Sequence, residues 1–377
     1  MQITQHNIPT GMIDLGVGQP SISLLPLDKI KRAAEHRMKQ GDASILQYGV
    51  EQGSGYFRHV LSQFLSGEYR TAVDPDQLFI TAGASQGLDL ICTHFAQAGD
   101  TVFVEEPSYF LALRIFADHR LKIISLPIDE NGLVIDALEE KLTEHKPAFV
   151  YTIPTFHNPS SVTLSASRRE RLIHLSEKHG FLIIADEVYH LLAYTVTPSP
   201  PMVTYDTTGA VLSLGSFSKI LAPGLRLGWI QAKPVLVNRL TQSGLLESGG
   251  GLNPFASSLA QSALELGLQR DHLAHLKRVY RLRSKSLSTA LNDLLPSSVT
   301  FTEPGGGFFI WLRLPDGADT EALRIAARQQ GVNFQPGPRF SSRRSLQNYL
   351  RLSFVYYDIE ELREGSKRLA SVLDVHT

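Results

Sequence analysis

One lysine in the chain lies in a setting that suits covalent chemistry. In the stretch Gly215 to Trp229, Lys219 follows the hydroxyls of Ser216 and Ser218, and Arg226 comes seven residues later. A lysine amine can attack a carbonyl, and hydroxyl and guanidinium groups can hold a phosphate beside it. These residues predict attachment of pyridoxal phosphate (PLP) to Lys219 as a Schiff base. A solvated surface loop is the alternative interpretation of so short a motif.

Composition and charge favour a protein that handles small molecules. The 377 residues are 43% hydrophobic and 19% charged, and 36 basic against 37 acidic residues give a net charge of -1. This balance offers no general attraction to nucleic acid or to an anionic membrane. Cys92 is the single cysteine, so no disulfide can form within the chain, and the first residues lack a signal-peptide pattern. We therefore expect a cytoplasmic protein whose partners are small molecules or a second copy of itself.

Apolar runs that are typical of strands alternate with helical patterns from Leu78 onward. The predicted strands are 78–81, 101–105, 122–126, 148–153, 181–185, 211–215 and 227–231. The clearest helical pattern, residues 84–98, places Cys92 on an apolar face, where a core role is expected. The alternation predicts an α/β fold with a mostly parallel seven-stranded sheet that helices cover on both faces.

The last quarter of the chain predicts a second, smaller α+β domain. Helical patterns over residues 254–291 lead to strands at 308–314 and 350–354 and helices at 320–330 and 359–373. We expect three units, namely an N-terminal segment 1–44 that packs with the small domain, a large cofactor-binding domain 45–284, and the small domain 285–377.

Helix ends are predicted from capping residues. Asp28 is expected to cap a helix that runs to Lys39, and Asp136 with Glu139 is expected to form a capping box. Ser165 and Gly180 are expected to bound another helix.

A carboxylate follows the apolar strand predicted at residues 181–185. Ligands bind outside the carboxyl ends of strands in open α/β sheets, so Asp186 lies where a ligand is expected. A buried carboxylate is costly unless a cation pairs with it, and the protonated pyridine nitrogen of PLP would be such a cation. The alternative is a helix cap or a structural salt bridge, which is the preferred interpretation for the adjacent Glu187.

Other strand ends supply groups that suit the same cofactor. After strand 78–81, Gly83, Ala84 and Ser85 open a helix, and the N–H groups there with the Ser85 hydroxyl suit a phosphate. Tyr109 would stack on a flat ring, although core packing is the commoner role of a tyrosine. The amide of Asn158 would donate to the phenolic oxygen of PLP alongside Tyr189.

Taken together and in order, these segments resemble the fold type I PLP-dependent enzymes, and among them the class I/II aminotransferases. The similarity is to the branch that contains aminoadipate and aromatic aminotransferases and the aminotransferase-like domain of MocR-type regulators. The matching pieces cover nearly the whole chain: Tyr48-Gly49 through Arg58, Gly83 to Gln86, Glu106 to Tyr109, Asn158-Pro159, Asp186 to Tyr189, Ser216 to Lys219, Pro223 to Trp229, Pro304 to Leu314 and Tyr349 to Phe354. The chain departs from the family at Ser160-Ser161, where many members carry threonine and then glycine.

The resemblance implies a role for each candidate residue. Lys219, Asp186 and Tyr189 would be catalytic, with Lys219 carrying the Schiff base and Asp186 pairing with the pyridine nitrogen. Tyr109 would stack on the ring, and Asn158 with Tyr189 would contact its phenolic oxygen. The residues that would surround the phosphate are Ala84, Ser85, Ser216, Ser218 and Arg226.

The resemblance also implies how substrate and a second subunit bind. Arg351 would hold the substrate α-carboxylate bidentately beside Asn158, with Gly18 closing over it. Tyr48 would reach the phosphate of the neighbouring subunit, which predicts a homodimer with shared active sites. Four further residues stay open between pocket-lining and surface or core roles: Phe156, His157, Arg339 and Phe340.

The implied reaction is transamination between an L-amino acid and a 2-oxo acid. Two alternatives remain, namely another PLP reaction such as β-elimination or racemisation, and a non-catalytic PLP-binding sensor. MocR-type regulators carry an N-terminal DNA-binding domain, whereas the first cofactor-related segment here begins within the first fifty residues, so we expect an enzyme. Gly305 to Gly307 lacks the lysine and hydroxyl of a P-loop, and the 13 histidines show no zinc spacing, so no metal site is predicted.

Overall fold

The computed structural model describes residues 7–376, and the side chains of residues 7–373. The strands are β1 (Ile13–Asp14), β2 (Leu78–Thr81), β3 (Thr101–Glu106), β4 (Lys122–Asp129), β5 (Gly132–Leu133), β6 (Phe149–Thr152), β7 (Leu182–Asp186), β8 (Val211–Ser216), β9 (Gly228–Ala232), β10 (Phe309–Arg313), β11 (Val332–Asn333), β12 (Gln335–Pro336) and β13 (Tyr349–Ser353). The α-helices are α1 (Leu27–Lys39), α2 (Gly55–Tyr69), α3 (Ala84–Phe95), α4 (Phe110–Asp118), α5 (Ile135–Leu142), α6 (Ala166–His179), α7 (Pro234–Thr241), α8 (Gly244–Gly249), α9 (Pro254–Glu265), α10 (Leu268–Leu294), α11 (Thr320–Gln329) and α12 (Ile359–His376).

The largest sheet has the strand order β2-β9-β8-β7-β6-β3-β4-β5. Neighbours from β8 to β4 are parallel, whereas β9 and β5 run opposite to their neighbours. All seven predicted strands are present, and the two-residue β5 adds an eighth at the edge. Strands β6 and β8 are buried along their whole length, which explains why they are apolar runs rather than alternating patterns. The α/β fold with a mostly parallel sheet is therefore confirmed.

A close contact between a glycine and a tryptophan lies in the β8–β9 pair, just before Lys219. Gly215 faces Trp229 across the β8–β9 pair, and a Cβ atom on Gly215 would lie 2.0 Å from the indole ring. Only glycine leaves room for the ring there. The tryptophan thereby packs under the last residues of β8 and supports the turn that follows.

Two of the predicted helix caps are wrong, although both helices are present. Helix α1 begins directly after Pro26, so Asp28 lies inside its first turn, where its charge still suits the helix dipole. Helix α5 begins after Val134, and Asp136 and Glu139 each bind Arg171 on α6 at 2.9 Å instead of capping α5. Helix α6 does begin after Ser165 and end before Gly180, although the Ser165 hydroxyl makes no capping bond.

The C-terminal elements form a second layer of structure beside the main sheet. Strands β10, β13 and β12 form an antiparallel sheet, and β1 pairs with β11, which joins the N-terminal segment to these elements. The expected boundary at residue 284 lies inside the 27-residue helix α10. The division into three units stays a prediction, and residues 1–6 and 377 of it lie outside the described residues. Within residues 7–376, the helices lack the combination of length and apolar character that crossing a membrane requires.

Candidate active site

Lys219 lies in the turn that follows β8, at the edge of the sheet where the parallel strands end. Its Nζ donates a hydrogen bond to the Gly18 carbonyl at 3.3 Å and lies 5.5 Å from the centre of the Phe308 ring. Burial, and after it the charge of Arg351, lowers the pKa of this amine to about 8, although Asp186 opposes both effects. The amine is therefore easier to deprotonate than a surface lysine.

Asp186 ends the neighbouring strand β7 and keeps one carboxylate oxygen free. Its Oδ2 accepts a hydrogen bond of 2.7 Å from the Tyr151 hydroxyl, whereas its buried Oδ1 has no hydrogen-bond partner in the described chain. Burial raises the pKa of Asp186, and the Tyr151 hydrogen bond opposes the rise. A buried acceptor without a partner costs free energy. The Oδ1 atom can therefore accept a hydrogen bond from a donor outside the protein. The protonated pyridine nitrogen of PLP is such a donor.

Ser216, Ser218 and Arg226 form a cationic cradle beside the lysine, at the start of α3. Arg226 Nη1 donates to the Ser218 hydroxyl at 3.3 Å, and the Ser216 hydroxyl accepts from the Ser218 N–H at 3.1 Å. Gly83 has a φ of 97°, and a Cβ atom there would lie 2.6 Å from Arg226 Nη2. The guanidinium thus lies directly against the bare backbone that opens α3, where N–H groups and the helix dipole favour a phosphate. Ala84 is partly buried and Ser85 is exposed in this first turn.

Arg351 lies on β13 and forms the opposite end of the site. Its buried guanidinium lies 4.0 Å from the Phe309 ring centre and 5.0 Å from that of Phe340. Nη1 donates to Asn158 Oδ1 and Nη2 donates to the Gly16 carbonyl, each at 2.9 Å, while Nε has no partner among the described residues. Burial lowers the pKa of Arg351 to about 10. The group is a fixed cation that can still receive a carboxylate.

Further predicted residues surround these three groups. Burial, and after it the charge of Tyr109, raises the pKa of Tyr189, and an interaction with Asn158 opposes the rise. Burial and then the charge of Asp186 raise the pKa of Tyr109 to about 12, which places its ring near the carboxylate. A Cβ atom on Gly18 would lie 3.4 Å from Arg351 Nη2, so Gly18 borders the arginine closely. Tyr48, in contrast, lies on the surface with 79% of its side chain exposed.

Two buried residues beside the site, Tyr151 and Glu105, were missed because their partners lie on neighbouring strands. Tyr151 belongs to an apolar run that indicates core, and only its position on β6, the strand beside β7, brings its hydroxyl to Asp186. Glu105 accepts from the Thr152 hydroxyl at 2.7 Å, and its Oε2 lies 3.2 Å from His157 Nε2.

The four residues whose roles the sequence did not decide differ in burial. Phe156, His157 and Phe340 are buried, and Phe340 covers Arg351, whereas Arg339 is exposed. In the loop that departs from the family, Ser161 has a φ of 63°, a conformation that suits glycine. Its hydroxyl donates to the Phe309 carbonyl at 2.5 Å, so the serine ties this loop to β10.

Two structural interpretations are confirmed. Glu187 accepts hydrogen bonds from the Ser213 hydroxyl and the Met202 N–H and lies 3.7 Å from Arg169, which makes it a buried structural carboxylate. Cys92 is buried, and that burial raises the pKa of its thiol to about 12, so it is a core residue and not a nucleophile.

The fold, the lysine after β8 and the acceptor on β7 define a fold type I PLP-dependent transferase. The chain belongs to the family Aminotransferase class I and II, whose profile matches residues 10–369. It is 36% identical to aromatic-amino-acid aminotransferase 1 of Thermococcus litoralis, over 96% of this chain and 88% of that protein. An uncharacterised HTH-type transcriptional regulator of Bacillus subtilis is 30% identical, over 99% of this chain and 76% of the regulator.

A solved structure extends the comparison to the cofactor. LysN, the α-aminoadipate aminotransferase of Thermus thermophilus, was crystallised with N-(5'-phosphopyridoxyl)-L-leucine. It superposes with a TM-score of 0.88 at 30% identity, over 97% of this chain and 93% of that one. The protein is thus a PLP-dependent aminotransferase that acts on amino acids and 2-oxo acids.

Proposed function

We propose that Lys219 attaches the cofactor and moves the substrate α-proton in this aminotransferase, with Asp186 and Tyr189 as its catalytic partners. The observation that supports this most strongly is the pairing of a lysine of lowered pKa with a buried, unpartnered carboxylate oxygen at adjacent strand ends in the described chain. Asp186 Oδ1 would receive the pyridine N–H, and the cradle of Ser216, Ser218 and Arg226 would hold the phosphate.

When bound, PLP supplies a carbonyl that amines attack and an electron-withdrawing ring that stabilises charge at the substrate α-carbon. Asp186 Oδ1 would accept a hydrogen bond from the protonated ring nitrogen, and this ion pair would keep the carboxylate ionised although it is buried. Arg351 holds the substrate α-carboxylate, and Gly18 closes over it. With the cofactor bound, Lys219 Nζ would take the substrate α-proton as a base, for which its lowered pKa suits it.

A homodimer with shared sites follows from the proposed role of Tyr48. Its side chain and the neighbouring Leu46, Val50 and Tyr56 are exposed by 79%, 75%, 56% and 82%. Exposed apolar groups in such number favour a protein interface. A single, buried cysteine supports a cytoplasmic location.

The reaction type is tested with amino donors. Incubation of the PLP form with L-amino acids should produce pyridoxamine phosphate and a 2-oxo acid, and a panel of donors with 2-oxoglutarate or pyruvate identifies the pair used. Release of ammonia and pyruvate without pyridoxamine phosphate would instead indicate β-elimination. Loss of substrate chirality alone would indicate racemisation, and PLP binding without any turnover would indicate a sensor like the related regulators.

The role of Lys219 is tested by covalent trapping. Borohydride reduction followed by peptide mapping should label Lys219 in the wild-type protein. Lys219→Ala should lose both the label and turnover, whereas Lys285→Ala, which removes an exposed lysine from α10, should keep both. Labelling of a different lysine would contradict the proposal.

A further inference from the structure

Two arginines beside the site have no carboxylate partner in the described part of the chain. Arg339 donates from Nη1 to Gln335 Oε1 at 2.6 Å, and its guanidinium lies 4.4 Å from the centre of the Phe110 ring. Arg114 lies four residues after Phe110 on α4, so both side chains are on one face of that helix. Both arginines are exposed. Their charges are available to an anion from solution.

Gln335 connects Arg339 to the substrate-carboxylate residue Arg351. Gln335 and Arg351 face each other across the β12–β13 pair, so their side chains lie on the same side of that sheet. Gln335 Nε2 and Arg351 Nη2 both donate to the Gly16 carbonyl, at 3.4 and 2.9 Å. Arg339 is therefore separated from Arg351 by one glutamine side chain.

The local charge balance is positive. Burial, and after it the charge of Arg339, lowers the pKa of Arg351, and burial followed by the charge of Arg114 lowers the pKa of Arg339. The carboxylate that opposes this for Arg351 is Asp14, whose two oxygens accept from the Gly16 N–H and from Asn333. A second anion at the site would offset the remaining repulsion.

We propose that Arg339, supported by Arg114, binds the distal carboxylate of a dicarboxylic amino or oxo acid. The inference rests on the proposed role of Arg351, which holds the α-carboxylate of the same substrate. The ring of Phe110 lies against one face of the Arg339 guanidinium and leaves N–H groups at its edge for a planar, two-oxygen acceptor. The rings of Phe110 and Phe340, whose centres are 5.4 Å apart, would contact an apolar substrate side chain, so we expect an aromatic amino acid to bind without using Arg339.

Steady-state kinetics with matched substrates tests the assignment. Arg339→Gln should lower kcat/KM for glutamate and 2-oxoglutarate by roughly 10- to 100-fold, which corresponds to one lost hydrogen bond between charged groups. The value for phenylalanine should stay within about twofold of wild type, since a surface change away from its contacts has little effect. Arg114→Gln should have the same selectivity with a smaller effect, and Arg339→Lys should restore part of the loss.

The control variant is Arg344→Gln, which removes an equal charge from the same segment at a side chain 81% exposed and 3.7 Å from Glu321. It should leave both substrate classes unchanged. Calorimetric titration of the PLP form with 2-oxoglutarate measures binding without turnover, and Arg339→Gln should weaken that binding while Arg344→Gln does not.

Equal losses for glutamate and phenylalanine in Arg339→Gln would overturn the inference. So would wild-type protein that transaminates phenylalanine and rejects both dicarboxylic acids, although the proposed transamination would stand. Wild-type protein that transaminates no donor would instead overturn the proposed function together with the inference.

Discussion

The two carboxylate oxygens of Asp186 differ in their hydrogen bonding, and the Tyr151 hydroxyl leaves Oδ1 as the oxygen that would accept from the proposed cofactor. The Tyr151 hydroxyl occupies Oδ2 at 2.7 Å, which leaves Oδ1 as the buried acceptor. Tyr151→Phe removes that donor, so the pKa of Asp186 rises further and its ion pair with the ring nitrogen weakens. We expect the Kd for PLP to rise about tenfold, as for one lost hydrogen bond to a charged group, measured by absorbance titration of the apoprotein.

Tyr280→Phe is the matched control for that variant. Tyr280 is fully buried and its hydroxyl has no hydrogen-bond partner in the described chain. The control should bind PLP as wild type does, with an unchanged absorption maximum. Equal weakening in both variants would show that loss of packing, and not the hydrogen bond to Asp186, is responsible.

The pKa of Lys219 predicts a pH dependence for cofactor capture. The nucleophile is the neutral amine, and burial lowers its pKa from 10.5 to about 8, so the reactive form increases as pH rises through about 8. The rate at which the apoprotein binds PLP covalently should therefore rise with pH, with a midpoint at about the same value. Stopped-flow absorbance across that range measures it, and a midpoint at the ordinary lysine pKa would show that the amine is not desolvated in solution.

Residue types at strand ends led to the hypotheses for Lys219 and Asp186, because chemistry follows from the side chain and its position after an apolar run, whereas the role of Arg351 was implied only by the resemblance to the aminotransferase family. In the structure, Asp186 and Arg351 both lie close enough to Lys219 for their charges to shift its pKa. Tyr151 could not be predicted in the same way, since its partner Asp186 is 35 residues away on the neighbouring strand. Pairwise contacts of that kind depend on strand order, which single-sequence patterns do not specify.

At the scale of elements, Glu106 links the main sheet to residues 337–345, the segment that follows β12, through hydrogen bonds. This residue ends β3 and accepts hydrogen bonds from the hydroxyls of Ser341 and Ser345 and from the Ser342 N–H. The Ser108 N–H also donates to the Phe340 carbonyl at 2.8 Å. Phe340 in this segment covers Arg351. Ser108, which contacts the segment, directly precedes Tyr109.

Glu106→Ala should therefore weaken the packing of the segment that covers Arg351. The buried Ser341 hydroxyl and the partly buried Ser342 N–H and Ser345 hydroxyl would lose their acceptor, so we expect the free energy of unfolding to fall by about 1–3 kcal/mol and KM for amino donors to rise. Urea denaturation and steady-state kinetics measure the two effects. Glu106→Gln keeps one acceptor oxygen and should show a smaller change in both. A KM that stays at the wild-type value in Glu106→Ala would show that the segment does not depend on this contact.

Strands were easier to predict than helix ends for a physical reason. A strand such as β8 is buried on both faces, so its residues are apolar whatever their tertiary partners are. A capping residue competes with other uses, and Asp136 and Glu139 bind Arg171 on α6 instead. The two-residue strands β11 and β12 are too short for any periodicity, although β12 carries the contact between Gln335 and Arg351.

At the scale of the whole molecule, Tyr48 and Lys219 test whether sites are shared between subunits. If Tyr48 serves the partner's phosphate, a dimer of one Tyr48→Ala and one Lys219→Ala subunit contains one fully native site. The site in the Tyr48→Ala subunit has its own lysine and receives the native tyrosine from its partner. Mixing the two impaired variants under exchange conditions should therefore restore transaminase activity, while light scattering should show twice the mass of one chain. Mixing Lys219→Ala with Arg226→Gln is the control, because both changes affect groups that act within one subunit and no native site can form. Failure of the first mixture to gain activity over the second, in preparations shown to exchange subunits, would place Tyr48 outside the neighbouring site.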